Sequence, residues 1–168
     1  MGYYTKKGFK KLRNSLDELR VEYEKKLLEL GQMEKDNNLA ESTEFIRARF
    51  NISYTYDYKR KEIIDNLNQA IIIEQTEEYE NWDGKSVSRK CIVTVNYRGE
   101  EETFTILGEN ETDLDNNVLS CSALLVLAML GHKVGEFVDF NGDTIYIESV
   151  RRIDNDLVQE ESINMGLR

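Results

Sequence analysis

Proline is absent, and cysteine, histidine and tryptophan are scarce: two, one and one in 168 residues. With ten glycines, 40% hydrophobic and 32% charged residues, the chain reads as soluble and folded rather than disordered. Cys91 and Cys121 stand thirty positions apart and His132 is alone. Neither a zinc site nor a disulfide framework can be assembled from these, and two buried, reduced thiols are expected. No apolar run is long enough to span a bilayer; the longest, Ala123 to Leu130, is eight residues and is closed by Gly131. The opening MGYYTKKGFKKL carries no apolar signal-peptide region, so a cytoplasmic location is expected. Lys6 stands where a myristoylation signal favours Ser or Thr.

The net charge of −10 is unevenly distributed. Residues 1–74 hold fourteen Lys/Arg and thirteen Asp/Glu, a sum of +1; residues 75–168 hold eight and nineteen, a sum of −11. A phosphate backbone would repel the second half, which suits a protein partner better.

From Thr5 to Met33, the residues Phe9, Leu12, Leu16, Leu19, Tyr23, Leu30 and Met33 recur at alternating spacings of three and four, with Lys26 in the gap. This is a heptad seam on a helix of about thirty residues. A second seam runs through Phe45, Ala48, Ile52, Tyr56, Ile63, Leu67 and Ala70, with Lys59 in the corresponding gap. Two such helices joined by a short polar turn predict an antiparallel hairpin, each arm about 40–45 Å long. Beyond Ile73 the pattern changes. CIVTVNY (91–97), a turn at Arg98-Gly99-Glu100 and ETFTIL (102–107) predict one β-hairpin. Phe137 to Phe140, a turn at Asn141-Gly142-Asp143 and Thr144 to Val150 predict another. Ser122 to Leu130 predicts a short buried helix, with Ser120 or Ser122 as cap and Gly131 as stop. The expected class is α+β: a helical hairpin over 1–76 with its tip near 36–44, a small antiparallel-sheet domain with one helix over 77–153, and a charged tail over 154–168.

The turn of the hairpin, DNNLAESTEF (36–45), collects Asp36, Glu41 and Glu44. Asn38 followed by Glu41 is close to a capping box, and acids in a first turn favour the helix dipole. A cap uses one acid, however, and this turn holds three, with Arg47 and Arg49 beside them.

NNLAESTEF resembles the tip of the bacterial Gre transcript-cleavage factors, whose pattern is Gly-Asp-Leu-x-Glu-Asn-x-Glu-Tyr. Thr5, Gly8 and Leu12 are similar to the family's opening Thr-x-x-Gly-x-x-x-Leu, and Leu67 to Ile73 falls where its second arm closes. FTILGENETDLDNNVLSCSALLVLAMLGHKVGE (104–136) is similar to the family stretch from Ile-Val-Gly through Ile-Ser-x-x-Ser-Pro-Ile-Ala to Leu-(Ile)-Gly-Lys. The resemblance covers roughly residues 3–153. It implies an N-terminal antiparallel coiled coil and an FKBP-like C-terminal domain. It also implies docking of that domain on bacterial RNA polymerase, with the coiled coil entering the secondary channel to meet the nascent RNA 3′ end. Tip acids there help hold an Mg²⁺ shared with the polymerase active site, activating water to cut backtracked RNA. The chain would have no complete active site of its own, no membrane role, and would act as a monomer, although such a seam can also associate between chains.

Carried over residue by residue, Glu41 matches the family Glu as catalytic and metal contact. Asn38 stands in place of the family Asp, and Asp36 and Glu44 are further candidate ligands; Glu44, three residues beyond Glu41, would share its helix face. Asn in place of Asp removes one negative charge near a divalent ion, which costs roughly 2 kcal/mol at about 4 Å in water, on the order of thirtyfold in affinity. The docking loop becomes Ser122, Ala123 and Leu124, where the family has Ser-Pro-Ile; a plain core helix is the competing reading of Leu124 to Leu130. Arg47 and Arg49 are candidate RNA-proximal cations, backed by Lys59, Arg60 and Lys61, against a solvated helix face. Tyr56 is read as seam, with Tyr54 and Tyr58 partly exposed, and His132 as a helix-end surface residue without an orienting partner. Two other functions stay open: a Gre-like channel occupant that does not stimulate cleavage and so inhibits or competes, which Asn38 favours, and a coiled-coil adaptor.

Overall fold

A computed structural model describes residues 2–37 and 42–153. The chain divides into two compact units: Lys6–Ile71 with the first two residues, and Ile72 onward with Tyr3–Thr5. After a short strand β1 (Gly2–Tyr4), helix α1 (Lys6–Asn37, 32 residues) and helix α2 (Thr43–Asn68, 26 residues) pack along each other. At 1.5 Å per residue they are about 48 and 39 Å long. Strand β2 (Ala70–Ile72) pairs with β1. Ala70, expected on the second seam, is therefore in a strand.

The inward stripe of α1 follows Leu12, Leu16, Leu19, Tyr23, Leu27, Leu30 and Glu34, of which Leu12 is buried and the others half-buried. Lys26 and Met33, expected on the seam, are exposed, Met33 at 60%. The cause is helix geometry. A straight helix with 3.6 residues per turn drifts about 20° per heptad from a strict 3.5 repeat, so by the third heptad the inward position has moved on by one residue. Lys59 of α2 is likewise exposed. The arms meet through Tyr23 and Tyr56, whose rings stack with centroids 4.2 Å apart.

The second unit opens with a 3₁₀ turn (Ile73–Gln75) and a four-residue helix α3 (Glu77–Glu80) capped by Thr76. Strands β3 (Cys91–Tyr97), β4 (Glu100–Leu107), β5 (Val118–Ser120), β6 (Phe137–Phe140) and β7 (Asp143–Arg152) form one sheet in the order β5-β4-β3-β7-β6. Helix α4 (Leu124–Met129) lies between β5 and β6 in sequence. Both predicted hairpins are present, with tighter turns than expected. Arg98-Gly99 and Asn141-Gly142 are the only loop residues, all at positive φ, and Glu100 and Asp143 already pair. Two residues with φ > 0 match the twist of the flanking strands. The sheet is not wholly antiparallel, because β5 runs parallel to β4. Its core comprises Val93, Val95, Ile106, Ile145 and Ile147 from the sheet, with Val126 and Met129 from α4. Cys91 and Cys121 are free and buried, as expected, and burial pushes the Cys121 thiol up to about 11.

Tyr3–Thr5 is clipped to the loop after β4. Glu109 N–H donates to the Tyr3 carbonyl (2.7 Å), and the Thr5 hydroxyl donates to Glu111 Oε2 (2.6 Å). Gly108 faces the Tyr4 and Thr5 backbone so closely that a Cβ there would lie 2.6 Å from the Thr5 nitrogen.

Candidate functional site

Helix α2 begins at a Ser42 cap, not at Asn38. Ser42 is extended (φ −72°, ψ 140°), and its hydroxyl accepts from the Phe45 N–H at 3.1 Å. Serine in this position satisfies one of the unpaired first-turn donors. A capping box from this cap would place its acid at Phe45, so neither Asn38 nor Glu41 caps α2. Asn38 and Glu41 lie outside the described residues, as does the side chain of Asp36. Glu44 is exposed in the first turn of α2, next to the positive end of the helix dipole. Since α2 starts after Glu41, the shared helix face expected for Glu41 and Glu44 does not follow. Among the described residues, no three His, Cys, Asp or Glu side chains converge to hold a metal. Glu44 by itself is an insufficient ligand set.

Arg47 and Arg49 are exposed on α2, as are Lys59, Arg60 and Lys61. Tyr56 is in the seam, while Tyr54 (63%) and Tyr58 (65%) are exposed. Sequence reasoning missed Ile46 (60% exposed) and Phe50 (65%), which lie on the same face as these two tyrosines. The spacing 46, 50, 54, 58 carries that signal.

In the second unit, the predicted docking residues form the entry to α4. Ser122 is exposed; its hydroxyl bonds Glu109 Oε2 (3.0 Å) and the Ser120 hydroxyl (2.8 Å). Neither serine caps α4, whose N-cap is the half-buried Ala123, with no side-chain bond. The helix is not simply core. Val126 and Met129 are fully buried, but Leu124 is 75% and Leu127 51% exposed. His132 does have a partner: its Nδ1 lies 3.1 Å from Glu136 Oε2, at the surface. That carboxyl is held below its usual range, first by the Lys133 N–H and then by His132.

A long helical hairpin followed by an α+β unit with outward leucines at one helix defines a two-part α+β protein. The comparisons give that class a family. Residues 83–151 match the model described as "Transcription elongation factor, GreA/GreB, C-term". The chain is 30% identical over 138 residues to the transcription elongation factor GreA of Rickettsia typhi, covering 80% of this chain and 82% of that one. It is 31% identical over 140 residues to the GreA of Thermosipho africanus, covering 81% and 85%. The crystal structure of GreA factor homolog 1 (Gfh1) of Thermus thermophilus aligns at 17% identity and a TM-score of 0.36, over 89% of this chain and 97% of that one. The chain belongs to the GreA/GreB transcription elongation factor family.

Proposed function

We propose that this chain binds bacterial RNA polymerase in the cytoplasm, enters its secondary channel with the hairpin turn, and promotes cleavage of backtracked RNA by the polymerase's own active site. One observation carries the reading. Ser42 caps α2, which leaves Asn38 and Glu41 without the capping role that was their main alternative use. Acids at the end of a hairpin roughly 40–50 Å long cannot serve a core.

In this reading Glu41 contacts the Mg²⁺ shared with the polymerase, and Asn38, Asp36 and Glu44 assist it. The metal in this reading is held mainly by the larger enzyme. That ion supplies Lewis-acid activation of water. The chain contributes carboxylate oxygen and placement. Ser122, Ala123 and the outward Leu124 dock the second unit on polymerase protein.

Asn38 favours a second reading, a channel occupant that binds and competes without stimulating cleavage. The two separate on stalled, backtracked elongation complexes. Shortened transcripts with the native chain support the cleavage factor. Cleavage appearing only with Asn38→Asp supports the occupant. If the chain neither co-purifies with polymerase nor competes for it, both readings fail and a coiled-coil adaptor remains.

A further inference from the structure

Between the sheet and α4, at the end nearer the Arg98-Gly99 turn, lies a cavity of about 140 Å³. Its walls include the rings of Tyr97, Phe104 and Phe140 and the side chain of Leu125. Glu102 is the one charged side chain among the described residues that line it. Glu102 pairs with the buried Val95 across the β3–β4 ladder, and directly paired residues point to the same face of a sheet. Alternation therefore puts Glu102 on the core side together with Phe104 and the buried Ile106. The result is a half-buried carboxylate facing an apolar cavity. It makes no hydrogen bond or ion pair among the described residues.

A carboxylate drawn out of water needs a partner. The neighbouring charges do not supply it. Arg98 donates to Asp143 Oδ2 at 2.6 Å, and the Tyr97 hydroxyl donates to the same oxygen at 2.8 Å. An inward charge can guard an open sheet edge, and β5 pairs only with residues 105–107 of β4, not with Glu102. A guard charge, however, needs no aromatic walls. We infer that the cavity binds a small, fully alkylated ammonium cation, with its methyl groups against Tyr97, Phe104 and Phe140 and Glu102 as its counter-ion. Aromatic faces attract such a cation through their quadrupole, most strongly where water is excluded. The alkylation follows from hydrogen bonding. A primary ammonium brings three N–H donors, and one carboxylate among apolar walls would leave some of them unpaired. A quaternary ammonium has no donor to satisfy. Size agrees as well. A cavity of about 150 Å³ holds a molecule such as benzene, comparable to a trimethylammonium head, whereas drug-sized ligands occupy about 300 Å³ or more. Every residue of the site belongs to the second unit, so binding is independent of docking to polymerase.

The test titrates the full chain with choline and follows the amide NMR signals of the residues around the cavity. The carbon isostere of choline, with a quaternary carbon in place of the nitrogen, is the uncharged control. Choline should saturate in the millimolar range or below and bind at least about tenfold more tightly than the isostere. Glu102→Gln, close to the native side chain in shape, should remove that preference without weakening the isostere. Phe140→Leu keeps the wall apolar but removes one ring, and should weaken choline about threefold or more. Amide signals away from the cavity report whether each variant is folded; if Phe140→Leu is not, Glu102→Gln decides. Equal affinity for choline and its isostere, undiminished choline binding by Glu102→Gln, or no saturation at about 10 mM would overturn the assignment. Tighter binding of Nα-acetyl-lysine amide than of choline would also overturn it, giving the cavity to a basic side chain of a partner protein.

Discussion

Gly108→Ala tests how the start of the chain is fixed to the second unit. A Cβ at this position would lie 2.6 Å from the Thr5 nitrogen, 2.7 Å from the Tyr4 Cα and 2.9 Å from the Tyr4 carbonyl carbon. All three are backbone atoms, so no rotamer change relieves the contact. The clip must shift or leave. A shift costs about 1–3 kcal/mol, the usual penalty of overpacking. Departure forfeits the Glu109–Tyr3 and Thr5–Glu111 hydrogen bonds, about 1 kcal/mol each. It also exposes Tyr4, which is 3% accessible and whose burial contributes a further 1.5–3 kcal/mol or so. The less costly route sets the outcome, so the expected loss is about 1–3 kcal/mol, a substantial share of the roughly 5–15 kcal/mol of a whole domain. Urea unfolding followed by the single Trp82, itself packed against the core of this unit, measures it. A Gly108→Ala chain within 0.5 kcal/mol or so of the native one would refute the close approach.

Lys59 lines a cleft of about 240 Å³ between the arms, with Tyr23, Ile52 and Tyr56, and makes no ion pair among the described residues. Lys59→Leu should therefore stabilise the hairpin by about 1 kcal/mol, raising its melting temperature; an unchanged or lower value would show that a side chain at position 59 does not pack into this cleft. Lys90 and Glu74 form an ion pair at 3.0 Å, with each side chain 10% exposed. Glu74→Ala should cost about 3 kcal/mol, and Glu74→Leu with Lys90→Met should cost less than Glu74→Ala; a single-variant loss of a few tenths would show that water already screens the pair. The Asp83 carboxylate accepts from the Lys85 and Ser86 N–H groups and the Ser86 hydroxyl, each at 2.8 Å. These bonds hold its pKa at about 2, below the ordinary 3.8. A depressed folded value means that the loop's stabilisation is complete above pH 3.8 and fades as pH falls through 2. An NMR carboxyl titration with its midpoint near 4 would contradict that.

Much of the sheet was legible because its signals are local. Arg98-Gly99 and Asn141-Gly142 stand between alternating β-branched runs, and turn chemistry there fixes the register. Strand β5 was not legible: its three residues gain their conformation by pairing parallel to β4, a long-range event with no local pattern. The hairpin was readable from its seam, but the inward phase beyond Tyr23 was not, because heptad counting ignores the drift of a straight helix. At the turn, Asn38 was the more prominent cap on spacing to Glu41. Ser42 holds the cap because its hydroxyl reaches the Phe45 N–H, and only coordinates reveal which candidate makes the bond. The outward Leu124 illustrates the same limit. In sequence it sits within an unbroken apolar run, and only the placement of α4 divides that run into buried and exposed faces.

The central claim is that Glu41 lends carboxylate oxygen to a magnesium ion in a larger enzyme, and the rate of transcript shortening in backtracked complexes across a magnesium series tests it most directly. With Glu41→Ala the rate should fall sharply at low magnesium and recover in part as magnesium rises, while the variant still competes for polymerase. Equal rates for the native chain and Glu41→Ala at every magnesium concentration would contradict the account.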